Sequence, residues 1–223
     1  MNQDSLKLII FDLDGTLVDA YRPVALSLNY AFKKVGLSSV EDEVIKRSVG
    51  WGDRNLIQRF VPRFLTAKVL AIYRQHHKKA LKDGVKFLPS AKKILFGLKK
   101  RNYKLAIASN RPTLFTRIIL KHLQIEHLFD VILCADKVKH PKPSGDILRA
   151  ILKRLKIVPA EALYVGDMTI DAQTAQNAGI KSIIVLTGSS KRKEVVPLKP
   201  FKIIDRLEGL PLVLEKVNRK YFR

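Results

Sequence analysis

Residues 8–17 read Leu-Ile-Ile-Phe-Asp-Leu-Asp-Gly-Thr-Leu, and this stretch decides the fold. Its four leading apolar residues, with two isoleucines in the middle, predict a short strand that is buried on both faces. Asp12 and Asp14 follow directly, and paired negative charges at the end of a buried strand require something positive held against them. Ligands of open α/β sheets bind outside the carboxyl ends of parallel strands. We therefore interpret this turn as a functional site, with Gly15 supplying conformational freedom to the backbone.

The composition is that of a globular protein large enough for a full core. The chain has 223 residues, of which 47% are hydrophobic, so it can form one large domain or a core with a small accessory domain. Its single cysteine, Cys134, excludes an internal disulfide and suits a reducing compartment. No apolar stretch approaches the roughly 18 residues of a membrane span, and the N-terminus lacks a signal-peptide pattern. We therefore expect a soluble cytoplasmic protein that does not associate with membranes.

The formal net charge of +22 is the unusual feature of the composition. Basic residues are spread over most of the chain, with clusters at Lys99–Arg101 and Lys191–Lys193. We interpret them as solvated helix faces, and the alternatives are steering of anionic substrates and contact with nucleic acid. The chain has no recognisable module for reading nucleic acid, and its aromatic residues do not alternate with the basic clusters. Nucleic acid is therefore a possible partner but not the favoured one.

The region after the first strand has helical periodicity and no strand-like run until about Lys86. Apolar residues recur at three- and four-residue steps from Val24 to Val35, which predicts a helix with one apolar stripe. Glycine-containing breaks separate this region into further helices, predicted at residues 41–49, 53–60 and 66–82. The sequence thus predicts an all-helical insert at residues 18–85, between core segments at residues 1–17 and 86–223.

From residue 86 onward, helices alternate with short buried strands. Strands are predicted at residues 104–109, 131–135, 162–166 and 181–186, and helices at residues 90–100, 113–123, 145–155, 171–178 and 207–217. Repeated βα units of this kind form a parallel sheet covered by helices on both faces. The predicted fold class is therefore α/β.

Polar side chains gather just past the ends of four predicted strands. They are Asp12 and Asp14 after the first strand, Ser109 and Asn110 after the second, Lys142 after the third, and Asp167 and Asp171 after the fourth. Each is weak evidence alone, because Ser109 could be a helix N-cap and Asp171 an acid in the first turn of a helix. Since the carboxyl ends of parallel strands lie at one edge of the sheet, together they predict a single site.

In this order, Asp-x-Asp-Gly-Thr, Ser-Asn, Lys-Pro and Gly-Asp-x-x-x-Asp resemble the four motifs of the haloacid dehalogenase-like hydrolase superfamily. The helical insert is similar to the small cap of its phosphoglycolate phosphatase-like branch, and Leu17–Asp19 and Ala175–Gly179 also fit that branch. The resemblance covers nearly the whole chain. It implies a Rossmann-like parallel sheet flanked by helices, with a small all-helical cap domain inserted after the first strand.

The resemblance implies a Mg²⁺-dependent phosphatase that forms an aspartyl-phosphate intermediate. Asp12 would be the nucleophile, since an aspartate is ionised at neutral pH without an activating base. Asp14 would protonate the leaving oxygen and then deprotonate the attacking water. Lys142 and Ser109 would stabilise and hold the phosphate oxygens. The implied ligands of Mg²⁺ are Asp12, the backbone carbonyl of Asp14, and Asp167.

The other predicted site residues surround this centre. Asp171 would act beside the metal ligands, orienting Lys142 or a metal-bound water. Thr16 and Asn110 are predicted to bind the substrate. Trp51 and Arg54 are predicted to do so from a cap loop that reaches over the site, although Trp51 could equally be packed within the cap.

No chemistry is assigned to the histidines or to the cysteine. His76 and His77 lie on a lysine-rich helix and are interpreted as solvated, and His140 as a surface residue. Cys134 follows three apolar residues and is interpreted as a buried apolar filler.

The predicted substrate is a small phosphorylated metabolite, with phosphoglycolate as the first candidate. Nucleotidase, pyrophosphatase or polynucleotide-end phosphatase activity remains open, as does a basic nucleic-acid-binding protein. The retained acid at Asp14 argues against a dehalogenase, and Gly166, where phosphomutases of this superfamily usually carry an acid, argues against a sugar phosphomutase. A monomer and a homodimer are both compatible with the sequence.

Overall fold

The computed structural model describes residues 6–220, and its side chains through Val217. The strands are β1 Leu8–Phe11, β2 Val18–Asp19, β3 Lys86–Phe87, β4 Lys104–Ser109, β5 Val131–Cys134, β6 Ala162–Gly166, β7 Lys181–Val185 and β8 Lys202–Ile204. The helices are α1 Tyr21–Lys34, α2 Asp42–Ser48, α3 Asp53–Gln58, α4 Arg63–Gly84, α5 Ala91–Lys100, α6 Thr113–His122, α7 Asp146–Leu155, α8 Thr169–Ala178, α9 Arg192–Val195 and α10 Leu210–Lys220.

Within the described residues, six strands form one parallel sheet in the order β5-β4-β1-β6-β7-β8. The chain builds outward from β1 to β4 and β5, then returns to the other side of β1 with β6. In this register Ile10 lies between Ala106 of β4 and Tyr164 of β6. The carboxyl ends of these three strands therefore meet where the strand order reverses, which is the position at which such sheets bind ligands.

Strand β1 is apolar throughout because helices cover both faces of the sheet. Ile9 and Phe11 belong to the apolar cluster formed with α5, α6 and α10, whereas Leu8 and Ile10 belong to the cluster formed with α7 and α8. Successive side chains of a strand point to opposite faces, so a strand between two cores has no polar alternation. The α/β prediction is confirmed by this architecture.

The helices α1 to α4 pack on one another around a separate apolar cluster. Its members include Val24, Leu28, Phe32, Ile57 and Tyr73. The chain enters this helical segment through β2 and leaves it through β3, and the two strands pair antiparallel. The separate cluster supports the division into a core and a cap at residues 17/18 and 85/86, which we retain as a proposal.

The sequence prediction misses several short elements. It places no strand between residues 18 and 86, but Val18–Asp19 pairs with Lys86–Phe87. A two-residue strand shows no periodicity, so hydrophobic patterning cannot detect it. The short strand Lys202–Ile204, which pairs with β7, and the single-turn helix Arg192–Val195 are missed for the same reason.

Helix α4, with 22 residues, is the longest helix that the structure describes. It carries exposed basic residues, among them Lys78 and Lys79, opposite its buried face. None of the helices in residues 6–220 combines the length and apolar character that crossing a membrane requires.

We predict that Leu28→Ala lowers the free energy of unfolding by about 2–5 kcal/mol, because it opens a cavity in the cluster of α1 to α4. Leu28 is fully buried, whereas Leu26 on the same helix is 52% exposed. The matched variant Leu26→Ala is expected to change stability by no more than about 0.5 kcal/mol. Urea denaturation measures both values, and equal effects of the two variants would contradict this packing.

Candidate active site

Lys142 joins two buried carboxylates at the carboxyl end of the sheet. Its Nζ donates to Asp12 Oδ1 at 2.8 Å and to Asp171 Oδ1 at 2.7 Å. It also donates to the hydroxyl of Tyr164 at 3.0 Å. Asp12 is held at the end of β1 by its backbone N–H, which donates to the carbonyl of Val165 at 2.8 Å. Residues far apart in sequence therefore meet within hydrogen-bond distance.

A third carboxylate, that of Asp167, completes an acidic cluster. Oxygens of Asp12, Asp167 and Asp171 lie within 4.8 Å of one another. The side chain of Asp167 is fully buried, and the hydrogen bonds that it accepts from described residues are long. These come from Thr16 Oγ1 at 3.2 Å, the backbone N–H of Ser189 at 3.3 Å and the hydroxyl of Tyr21 at 3.4 Å.

The charge of this cluster fits a divalent cation. Among the described side chains, the three carboxylates share one ammonium, that of Lys142. A 2+ ion would make the cluster neutral, and clustered carboxylate oxygens are the ligands that Mg²⁺ prefers. Asp12 and Asp167 are the better ligands, because both oxygens of Asp171 already accept hydrogen bonds. The residues present therefore fit a divalent metal ion.

Burial sets the electrostatics of the cluster when no metal is bound. It raises the pKa of Asp12 to about 7, with Lys142 opposing the shift and Asp171 adding to it. Burial also raises the pKa of Asp167 well above its ordinary value, and the charges of Asp171 and Asp12 raise it further. Burial disfavours the charge on Lys142, but Asp12 and Asp171 outweigh it and raise the pKa of that ammonium well above its ordinary value.

Asp171 makes contacts of both kinds weighed for it from the sequence, with the first turn of α8 and with Lys142. Its Oδ2 accepts the backbone N–H groups of Asp167 at 3.1 Å and Met168 at 3.0 Å, as an acid in the first turn of α8 would. Its Oδ1 accepts from Lys142 and from the hydroxyl of Tyr164 at 2.8 Å. Asp171 therefore fixes the ammonium of Lys142 against Asp12.

Two glycines allow the backbone to approach Asp167. Gly15 has a φ of +76°, and a Cβ there would lie 2.6 Å from Asp167 Oδ2 and in collision with the hydroxyl of Tyr21. A Cβ at Gly188 would overlap the Asp167 carboxylate itself. Thr187 Oγ1 donates to the carbonyl of Gly15 at 2.6 Å and connects the two loops.

Ser109 is the last residue of β4 and Asn110 follows it, beside the acidic cluster. Ser109 is 2% exposed, and its Oγ accepts the backbone N–H of Arg111 at 3.2 Å. The amide of Asn110 donates to the carbonyls of Gly50 at 3.0 Å and Lys142 at 3.1 Å, and accepts the Lys142 N–H at 3.0 Å. Asn110 thus connects the loop after α2 to the loop that carries Lys142.

Arg111 is a site residue that sequence analysis missed. Its Nε and Nη2 donate to the two oxygens of Asp14 at 2.8 and 2.9 Å, in a bidentate ion pair. Its Nη1 contacts His77 Nε2 at 2.8 Å. Its position directly after the Ser109–Asn110 motif could have indicated a role. In a chain with so many basic residues, however, one arginine does not stand out from the surface charges.

The interpretation of His77 as solvated is wrong. It is fully buried, and its Nδ1 lies 3.0 Å from Ser27 Oγ, whose own hydrogen is donated to the carbonyl of Pro23 at 2.8 Å. His77 Nδ1 must therefore donate, which leaves Nε2 to accept from Arg111. Burial, helped by the charge of Arg111, lowers the pKa of His77 to about 2 and keeps it neutral. Its position four residues after the buried Tyr73 could have revealed this.

A cavity of about 70 Å³ separates the carboxyl end of the sheet from the α1 to α4 helices. Its described lining includes Asp12, Asp14, Ser109, Asn110, Arg111 and Lys142 from the sheet side, and Tyr21, Val24, Val49, Gly50, Gly52, Asp53, Leu56 and Tyr73 from the helical segment. Two carboxylates, two cations and an apolar wall therefore face one small space.

The predicted substrate-binding residues differ in their positions. Asn110 lines the cavity, whereas Thr16 is buried against Asp167. Trp51 stands between two lining glycines but is 37% exposed, and Arg54 is exposed. Thr16, Trp51 and Arg54 lie outside the described lining, and their contact with substrate stays a prediction.

The interpretations of two further residues are confirmed. Cys134 is buried, with its Sγ donating to Thr116 Oγ1 at 3.3 Å. His140 is at the surface, where its Nδ1 lies 2.8 Å from Asp146 Oδ2.

The model of one protein family, the haloacid dehalogenase-like hydrolases, matches residues 9–185. The chain belongs to this family. The matched region runs from β1 through β7 and so contains every strand end that contributes to the cluster. The resemblance inferred from the four motifs is confirmed.

Curated relatives of this haloacid dehalogenase-like hydrolase include phosphoglycolate phosphatases. That of Aquifex aeolicus is 30% identical over 192 residues, which cover 86% of this chain and 90% of the relative. That of Colwellia psychrerythraea is 27% identical over 226 residues, which cover 97% of this chain and all of the relative.

Solved structures of the family share the fold. A protein described as a predicted phosphoglycolate phosphatase from Haemophilus somnus superposes with a TM-score of 0.88 at 27% identity, covering 93% of this chain and 97% of the other. A haloacid dehalogenase-like family hydrolase from Streptococcus pneumoniae gives a TM-score of 0.85 at 25% identity, covering 93% and 98%.

We predict that Mg²⁺ raises the melting temperature, and more so at pH 8 than at pH 5. The folded pKa of Asp12, about 7, exceeds its ordinary 3.8, so stability due to the protonated group is lost as the pH rises through this window. Protons compete with Mg²⁺ at pH 5 and much less at pH 8. At about 100 times the Kd, binding adds about 2.7 kcal/mol, or a Tm increase of about 5–10 °C.

Thermal denaturation in chelator and in Mg²⁺, at both pH values, measures this effect. Asp167→Asn removes one carboxylate charge from the cluster while keeping a hydrogen-bonding side chain of the same size. An undiminished response to Mg²⁺ in that variant would refute a metal site at Asp167.

Proposed function

We propose that this chain is a Mg²⁺-dependent phosphatase that hydrolyses a small phosphomonoester, with phosphoglycolate as the first candidate, through an aspartyl-phosphate on Asp12. That it is a phosphatase rests on its family and on its curated relatives. The substrate, the metal ion and the residue roles are the proposal. The observation that carries it is the ion pair of Asp12 with Lys142 inside a cluster of three carboxylates.

Asp12 is suited to be the nucleophile because its geometry is fixed. Lys142 binds Oδ1, and Oδ2 is the oxygen that would attack phosphorus. The ammonium offsets the repulsion between the carboxylate and the incoming phosphate, and it stabilises charge on the transferring phosphoryl group. Ser109, at the end of the neighbouring strand β4, would donate to a phosphate oxygen.

The divalent ion would be held by Asp12, Asp167 and the backbone carbonyl of Asp14. When bound, it supplies positive charge that offsets the repulsion between the Asp12 carboxylate and the phosphate. The absence of a side chain at Gly15 and Gly188 leaves the space that the Asp167 carboxylate occupies in the cluster. Lys142, fixed by Asp171, provides the second positive charge in the same space.

Asp14 is suited to the proton transfers. Its side chain lines the cavity, and it is 23% exposed, so it can meet both a leaving group and a water molecule. It would donate a proton to the departing alkoxide as Asp12 is phosphorylated. It would then take a proton from the water that hydrolyses the aspartyl-phosphate.

The size of the cavity favours a small substrate over the end of a polynucleotide, one of the alternatives left open by the sequence. About 70 Å³ corresponds to the space of a few water molecules. The helical segment encloses this space with Tyr21, Val24 and Leu56, so the end of a polynucleotide would have to displace it. A cap closing over a small ester would also exclude water during the first step. The cytoplasmic location and the oligomeric state stay predictions.

We predict that Asp12→Asn abolishes turnover of both p-nitrophenyl phosphate and phosphoglycolate, with a loss in kcat of at least about 10³-fold. The amide is a poor nucleophile, although it preserves the size of the side chain. Release of inorganic phosphate, measured with Mg²⁺ and with chelator, gives the rates.

Asp205→Asn is the matched control, since Asp205 is an exposed aspartate paired with Arg192 outside the site. Its rates are expected to equal those of the wild type. Activity in Asp12→Asn comparable with that of the control would refute the role of Asp12. A screen of nucleotides and pyrophosphate under the same conditions decides among the remaining substrates.

We predict that Asp14→Asn slows phosphoglycolate hydrolysis by about 10²–10⁴-fold, the usual contribution of a general acid–base group. Phosphorylation of Asp12 by p-nitrophenyl phosphate should be affected much less, because nitrophenolate leaves without protonation. Burst kinetics separate this first step from hydrolysis of the intermediate. An equal loss of the first step on both substrates would contradict general acid catalysis by Asp14.

A further inference from the structure

Arg111 is the cation at the cavity wall that the phosphatase chemistry does not use. Among the described lining residues, the basic side chains are those of Lys142 and Arg111. Lys142 is occupied by Asp12 and Asp171, at the end of the cavity where phosphate would bind. Arg111 lies at Asp14, the residue that faces the leaving group.

The guanidinium of Arg111 has donors to spare. Asp14 uses Nε and one N–H of Nη2, and His77 uses one N–H of Nη1. A guanidinium carries five N–H groups, so one remains on each of the two terminal nitrogens. The side chain is 9% exposed and lines the cavity, so a ligand there can reach it.

His77 fixes the guanidinium without neutralising it. Because its Nδ1 donates to Ser27, its Nε2 can only accept, and the ring brings no negative charge to the contact. The charge of Arg111 is therefore balanced by Asp14 alone among its described contacts.

We infer that Arg111 binds a carboxylate on the leaving group, which makes the substrates phosphate monoesters of short hydroxy acids. The two N–H groups of Arg111 that no described partner accepts, one on Nη1 and one on Nη2, would donate to this carboxylate in the cavity. Ion pairs between arginine and carboxylate gain strength and orientation from parallel N–H donors. This inference rests on the proposed phosphatase function and assigns its substrate class to one side chain.

The test compares phosphoglycolate with 2-hydroxyethyl phosphate, in which a hydroxymethyl group replaces the carboxylate. Arg111→Gln is expected to lower kcat/KM for phosphoglycolate by about 30-fold more than for 2-hydroxyethyl phosphate, since it removes one partner of a buried charge pair. Arg111→Lys keeps the positive charge but not the planar set of N–H donors. This variant should therefore lose less of the preference for phosphoglycolate over 2-hydroxyethyl phosphate than Arg111→Gln does. Arg117→Gln is the control, an exposed arginine on helix α6, which follows Arg111 in the chain, and it is paired with Glu126.

Equal losses on the two esters would overturn the inference, because Arg111 would then act only through Asp14. Circular dichroism shows whether Arg111→Gln folds. If it does not, the test uses Arg111→Lys and its ratio of kcat/KM for phosphoglycolate to kcat/KM for 2-hydroxyethyl phosphate. Wild-type protein that hydrolyses neither ester would refute the proposed function instead.

Calorimetry distinguishes a failure of the Arg111 assignment from a failure of the proposed phosphatase function, because it measures binding without turnover. In an Asp12→Asn background, phosphoglycolate should bind more tightly than 2-hydroxyethyl phosphate, and adding Arg111→Gln should abolish that preference. Equal binding of the two esters in the Asp12→Asn background would overturn the assignment of Arg111 even if the enzyme is a phosphatase.

Discussion

The cluster of Asp12, Asp167 and Asp171 contains one ammonium among the described side chains, that of Lys142, and the rest of the site is arranged around that excess of negative charge. Removing carboxylates from water disfavours their charged form, which is why burial is the leading cause of the raised pKa values of Asp12 and Asp167. The fold tolerates this arrangement because the apolar clusters on both faces of the sheet stabilise the strands that carry it. Function here is maintained at the expense of local stability.

Strand order explains why residues so distant in sequence share one site. The reversal beside β1 brings the ends of β4 and β6 to either side of Asp12, so Ser109 and Asp167 flank it. Lys142 comes from the loop beyond β5 and reaches the same point through a side chain that is almost fully buried. In such a sheet, polar residues at the strand ends are enough to predict from sequence which residues share the site.

The same rule defines what sequence could predict. The strand ends identified Asp12, Asp14, Ser109, Asn110, Lys142, Asp167 and Asp171, and the alternation of helix and strand gave the α/β class. Arg111 and His77 were not predicted as site residues, because their importance depends on a contact between α4 and the loop after β4. No local sequence pattern encodes that contact. Strands β2, β3 and β8 were not predicted because two or three residues are too few to show hydrophobic periodicity. Sequence thus located the chemistry on the sheet but not its connection to the helical segment.

Because of that connection, Asp12 and Asp14 are held in place by different parts of the molecule. The described hydrogen bonds of Asp12 are made with core elements: its backbone N–H donates to Val165, and its carboxylate accepts from Lys142. Asp14 is held by Arg111, which is held in turn by His77 of α4. A movement of the helical segment would therefore change the contacts of Asp14 through Arg111, but it would reach Asp12 only through Lys142, whose loop Asn110 connects to Gly50. Recognition of the leaving group and its protonation would then both depend on Arg111, because it contacts Asp14 and the cavity at once.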